Sequence, residues 1–100
     1  MLTRDEALRI LQEKRDYLHD EFGVSKIGIF GSTAAGHSDE TSDVDIVVEF
    51  DRPIGFRFVE LADYLEDLLG RKVDLLTPAG IQAIRSPQVA DSISAGVIYV

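Results

Sequence analysis

Apolar residues in the first 22 positions recur at helical spacing. Leu8, Leu11, Leu18 and Phe22, supported by Ala7 and Ile10, share one face, while charged residues fill the others. Ahead of them, Thr3-Arg4-Asp5-Glu6 matches a capping box, in which a Thr hydroxyl and a Glu carboxylate satisfy free amides at a helix start. Gly23 supplies a left-handed stop. The pattern predicts one amphipathic helix from Arg4 to Phe22.

The period then changes. Val24 to Phe30, with Ile27, Ile29 and Phe30, reads as a buried strand, and Gly31 to Ser42 as a small-residue loop or a short helix flanked by loop. Val44 to Phe50 is a second strand; adjacent Val47 and Val48 make both of its faces apolar, as in a covered sheet. Pro53 and Gly55 punctuate the chain before a second helix from about Phe56 to Leu69. Its expected core face is Phe58, Val59, Ala62, Leu65, Leu68 and Leu69, and Gly70 closes it. Lys72 to Leu76 forms a third strand ended by Thr77-Pro78. Ile81 to Arg85 and Val89 to Ile93 read as short helical pieces around Ser86-Pro87, and Val97 to Val100 as a terminal edge strand. The order predicts an α/β (α+β) fold, a small mixed β-sheet with helices packed on it, and leaves the strand directions open.

Bulk properties narrow the classes. A length of 100 residues fits one domain over 1–100, with a thin margin for a core. The chain has no cysteine, which excludes a disulfide scaffold, a thiolate metal site and a cysteine nucleophile, and makes the cytosol the expected compartment. The opening MLTRDEALRI is charged throughout, unlike a secretory signal, and no apolar run approaches the ~20 residues that span a bilayer. No membrane association is expected. A net charge of −8, from 18 acidic against 10 basic side chains, argues against tight binding along a nucleic-acid backbone. It leaves room for a nucleotide held through metal ions, and for a basic protein partner.

Three features carry candidate chemistry. Asp43 and Asp45, two apart at the start of a predicted strand, point to the same side. Two carboxylates so placed repel unless a cation compensates, and a hard, oxygen-preferring ion such as Mg²⁺ suits them. Asp74 interrupts an apolar strand and joins the pair if the second and third strands are neighbours; by alternation it can equally face solvent. Gly31-Ser32 follows an apolar strand, where Gly permits close backbone approach and free amides suit phosphate oxygens. Taken alone, that pair is also an ordinary strand-to-helix turn. His37 could donate to a phosphate, although a surface histidine is the plainer reading. His19, Glu60, Asp63, Glu66 and Asp67 read as solvated helix positions, and Tyr17, Tyr64 and Tyr99 as core-edge packing. Arg71 and Lys72 are too few for a nucleic-acid patch.

Combined, the features are specific. Gly31-Ser32-Thr33-Ala34-Ala35-Gly36, followed by Ser42-Asp43-Val44-Asp45-Ile46-Val47-Val48, resembles the signature of the DNA-polymerase-beta-like nucleotidyltransferases. Chain length and the N-terminal helix resemble the minimal nucleotidyltransferases (MNT) of that superfamily, over nearly the whole chain. The resemblance implies a polymerase-beta-like fold and transfer of AMP from ATP to a hydroxyl. It implies that Asp43, Asp45 and Asp74 are catalytic and hold two Mg²⁺ ions, with Asp74 helping to deprotonate the acceptor. Gly31 and Ser32 would bind the triphosphate. One position departs from the pattern: Ala35 stands where the family commonly has Arg, and the missing cation would weaken phosphate contacts or packing at the turn.

A chain this short has no visible second module to choose an acceptor. Small MNT members resemble antitoxins paired with HEPN toxins, which are RNases that they silence by adenylylating a tyrosine. The expected role is therefore an antitoxin modifying a HEPN toxin. The alternative, favoured by Ala35, is a non-catalytic antitoxin that acts by contact alone. A small-molecule nucleotidyltransferase is disfavoured by size.

Overall fold

A computed structural model describes residues 2–36, 43–82 and 96–100; the side chains of Ser32, Ala35, Ile81 and Gln82 lie outside that description. The N-terminal stripe folds as two helices rather than one, α1 (Arg4–Glu13) and α2 (Arg15–Phe22), broken at Lys14. Buried positions recur at Ala7, Leu11, Leu18 and Phe22. The position that would continue the stripe between them carries Lys14 and Arg15, both exposed. The break falls in that gap, with the chain anchored on either side. Hydrogen bonding runs through it, from Lys14 N to Ile10 O at 3.2 Å and from Leu18 N to Lys14 O at 2.9 Å. Thr3 caps α1 as expected, its hydroxyl accepting from Glu6 N at 3.1 Å. Gly23 ends α2 at φ 71°, a left-handed conformation that glycine adopts freely.

The remaining elements are β1 (Val24–Ile29), α3 (Gly31–Ala35), β2 (Val44–Phe50), α4 (Arg57–Leu69), β3 (Val73–Leu76), α5 (Pro78–Gln82) and β4 (Ile98–Tyr99). The sheet order is β3-β2-β1-β4. β1 runs antiparallel to β2 and to β4, whereas β2 and β3 are parallel. α4 is the crossover that a parallel pair requires. The mixed sheet with packed helices is thus present, and β4 lies at its edge.

One face of the sheet carries Ile27, Ile29, Val44, Ile46, Val48 and Leu75 in a single core with Leu11, Leu18, Phe22, Leu61, Leu65 and Leu69 of the helices. Each fully buried Leu or Ile there contributes roughly 1.5–3 kcal/mol. The opposite face holds a smaller cluster, Phe30 and Val47, with Leu76 and Val97 packed on it. Val47 and Val48 are therefore buried on opposite faces, as their adjacency predicts.

Several expectations need correction. On α4 the inward positions are Leu61, Leu65 and Leu69, with Phe58, Ala62 and Leu68 beside them, whereas Val59 is 62% exposed. Leu61 lies three residues after Phe58 and four before Leu65, on the same stripe; Val59 falls outside it. Thr77-Pro78 starts α5 rather than merely ending β3. The Thr77 hydroxyl accepts from Gly80 N at 3.0 Å, a cap followed by proline at the first helical position. Residues 83–85 of the expected helix, and all of Val89 to Ile93, lie outside the described residues, as does His37.

Two side chains read as solvated hold elements together. Glu66 accepts from Val73 N at 3.0 Å, satisfying an amide at the start of edge strand β3. His19 Nε2 lies 2.8 Å from Asp51 Oδ2, joining α2 to the chain after β2. Nearby, Arg52 donates to the carbonyls of His19 and Asp20, and Arg57 donates to that of Glu21. These cations satisfy carbonyls at the negative end of α2. Tyr17, Phe22 and Tyr64 form an aromatic group, with Tyr17 and Tyr64 centroids 5.1 Å apart. No helix among the described residues is long and apolar enough to cross a membrane.

Candidate functional site

The parallel pairing of β2 and β3 sets Asp45 opposite Asp74, between the pairs Val44–Val73 and Ile46–Leu75. Residues paired in this way project to the same face, about 4.8 Å apart at the backbone. The inward neighbours Val44, Ile46 and Leu75 belong to the helix-covered core. Asp45 and Asp74 consequently stand on the other face, as do Val47 and Leu76, the residues two farther along each strand. Asp43, exposed and two residues before Asp45, extends this line past the start of β2. Asp45 and Asp74 stand side by side at one end of the sheet, beside a small apolar cluster, with Asp43 just before the start of β2.

Asp45 is the most constrained of the three. Its amide donates to the Thr33 hydroxyl at 3.1 Å, and its carbonyl accepts from Phe30 N at 3.1 Å. The backbone is thus held from both sides by the turn between β1 and α3. Its carboxylate lies over Gly31: a Cβ built there would be 2.5 Å from Asp45 Oδ2 and 3.2 Å from Cγ. Gly31 also has φ +62°, so both conformation and space call for glycine. The Gly-Ser turn and the Asp-x-Asp strand, distant in sequence, are in direct contact.

Thr33 was not singled out by the sequence. It is 3% exposed, buried among small residues, and its hydroxyl fixes the Asp45 amide. The available signal was a polar β-branched residue inside an otherwise Gly/Ala/Ser turn. Ser32 follows Gly31 in α3, and its side chain, like that of Ala35, lies outside the described residues.

All three acidic side chains offer hard oxygen donors, the chemistry that Mg²⁺ selects. Among the described residues no group of three His, Cys, Asp or Glu side chains forms a ready-made metal site. The carboxylates are aligned rather than converged into a cage. Mg²⁺ is commonly held by one or two carboxylates completed by water and substrate phosphates, a donor set that the neighbouring Asp45 and Asp74 can supply.

A sequence model described as a nucleotidyltransferase domain matches residues 11–100. The chain belongs to the nucleotidyltransferase domain family. It is 41% identical over 101 residues to protein adenylyltransferase MntA of Thermococcus cleftensis, covering 100% of this chain and 98% of that one. It is 43% identical over 103 residues, 100% of both chains, to a Methanocaldococcus jannaschii protein named provisionally as a protein adenylyltransferase. Among solved structures, one described provisionally as a minimal nucleotidyltransferase has a TM-score of 0.68 at 28% identity, covering 91% of this chain and 93% of that one. A toxin–antitoxin structure with AMP-PNP has a TM-score of 0.63 at 21% identity, covering 98% and 72%, a likeness of fold. The nucleotidyltransferase assignment and the mixed α/β fold expected from the motif both stand.

Proposed function

We propose that this nucleotidyltransferase, acting as a single domain over residues 1–100, transfers AMP from ATP to a hydroxyl of a partner protein. The observation that carries the reading is the pairing of Asp45 with Asp74 across β2 and β3, with the Asp45 carboxylate seated over Gly31 and Asp43 two residues before it. Adenylyl transfer is also the activity named for relatives that match the full chain. The acceptor oxygen forms a bond to the α-phosphorus, the bond from that phosphorus to the β-phosphate bridge breaks, and pyrophosphate leaves. Mg²⁺, held by Asp43, Asp45 and Asp74 as two ions, would supply charge neutralisation for the triphosphate and the developing oxyanions. Gly31 and Ser32 bind phosphate, the absent Cβ of Gly31 leaving the backbone open to it. Asp74, on the edge strand, takes the acceptor proton and passes it to water in this reading. The Thr33 hydroxyl and the Phe30 amide hold Asp45 before substrate arrives, so little reorganisation remains for the reaction itself.

The partner in this proposal is a HEPN toxin, the acceptor one of its tyrosines, and the setting a cytoplasmic toxin–antitoxin pair. Support comes from the likeness in fold to chains of toxin–antitoxin structures, one of them with AMP-PNP. The test is incubation of the chain with its partner toxin, ATP and Mg²⁺, followed by intact mass measurement. One added adenylyl group on the toxin, lost with EDTA, is the expected result; an unchanged mass with both proteins active overturns it. Contact inhibition without catalysis is the second reading, favoured by Ala35 in place of the family's Arg. It predicts that the double variant Asp43→Asn/Asp45→Asn still neutralises the toxin fully.

A further inference from the structure

The carboxylate line has two flanks. The Gly31 turn at the end of β1 closes one, and edge strand β3 forms the other. Lys72 stands at the head of β3, where its carbonyl accepts from Val44 N at 2.8 Å. The pairs Val44–Val73 and Asp45–Asp74, carried back one residue, set Lys72 opposite Asp43. Two residues before Asp74, Lys72 shares its side of the strand. It is exposed and, among the described residues, makes no ion pair. Toward the end of α4 it borders an open, shallow depression with Glu66, Asp67, Gly70 and Arg71, where Glu66 accepts from Val73 N. In a chain of net charge −8, a free ammonium beside the catalytic face favours an anionic visitor.

We propose that Lys72 is a specificity-determining residue, selecting an acceptor peptide that carries a carboxylate next to the hydroxyl to be modified. This rests on the nucleotidyl-transfer reading, in which phosphates occupy the Gly31 side and leave the β3 side to the acceptor. The transfer itself is unchanged, with the acceptor proton leaving through Asp74. An exposed ion pair of this kind corresponds to roughly a two- to fivefold preference per carboxylate, and salt screens it. If Lys72 served only to offset the charge of Asp43, its removal would change transfer to every acceptor alike.

The experiment uses the full chain, ATP, Mg²⁺ and three matched tyrosine peptides whose flanking residue is Glu, Gln or Lys. It measures kcat/KM for AMP transfer at low and high salt, with ATP–Mg²⁺ binding followed separately by calorimetry. Wild type is expected to prefer Glu over Gln over Lys in steps of about two- to fivefold. The order flattens in Lys72→Gln, inverts in Lys72→Glu and fades at high salt. Equal rates on all peptides in wild type, or unchanged discrimination in Lys72→Gln, overturns the proposal. Transfer to no peptide while ATP–Mg²⁺ still binds also overturns it and leaves the nucleotide reading standing. Failure of wild type to bind ATP–Mg²⁺ defeats the underlying reading, and this inference with it.

Discussion

Replacing Gly31 by alanine separates the stability of the turn from its use. A non-glycine residue in the left-handed region costs about 1–2 kcal/mol, and Gly31 sits there at φ +62°. The added Cβ would also lie 2.5 Å from Asp45 Oδ2. Since carbon contacts are comfortable only near about 3.5 Å, the carboxylate must move by roughly 1 Å. A displacement of that size in a catalytic group costs on the order of a hundredfold in rate. The strain alone lowers Tm by about 4–8 °C for each kcal/mol in a chain this size, so the folded fraction is measured beside the rate. Thermal denaturation and AMP transfer, measured on the same preparation, therefore diverge: modest destabilisation, large loss of kcat. Transfer within twofold of wild type at equal folded fraction would refute the claim that Gly31 makes room for the Asp45 carboxylate.

Thr33→Val removes the hydroxyl that accepts from Asp45 N, and an unsatisfied amide costs about 1–3 kcal/mol; denaturant unfolding should show this loss together with reduced transfer. Glu66→Ala frees the Val73 amide at the edge of the sheet, with an expected loss of about 1 kcal/mol by the same measurement, and a midpoint unchanged from wild type would discount the bond. Desolvation first, then the neighbouring Tyr17, raises the Tyr64 phenol above 10; desolvation, then Glu49, raises Tyr99. Their ultraviolet titration should lie above that of the unfolded chain, and the associated stability, full below pH 10, should fall as pH rises through the folded values. Normal phenol titration in the folded state would contradict that assignment.

Much of this architecture was legible because periodicity and capping agree with burial. The β2 boundaries follow directly from alternating and paired apolar residues, and Thr3 and Gly23 mark helix ends through their own side-chain and backbone chemistry. The break at Lys14 has no glycine or proline to announce it; its one local sign is the gap in the apolar stripe at Lys14 and Arg15. Val59 was misplaced although the helical spacing Phe58, Leu61, Leu65 already sets it off the buried stripe. At the site, Asp43 and Asp45 were legible from their i, i+2 spacing. The neighbourhood of Asp74 required the parallel pairing of β2 with β3, which chain order leaves open. Thr33 was missed because its importance lies in a contact with Asp45, 12 positions away.

The central claim is that aligned carboxylates hold metal-bound ATP, with Asp45 at the nucleotide and Asp74 toward the acceptor. Calorimetric titration of ATP–Mg²⁺ into wild type, Asp45→Asn and Asp74→Asn, all checked for native fold, tests it most directly. The account predicts that Asp45→Asn weakens binding by at least about tenfold, as loss of a metal-supporting group does, while Asp74→Asn retains most affinity and loses transfer. Unchanged ATP–Mg²⁺ affinity in Asp45→Asn would contradict it.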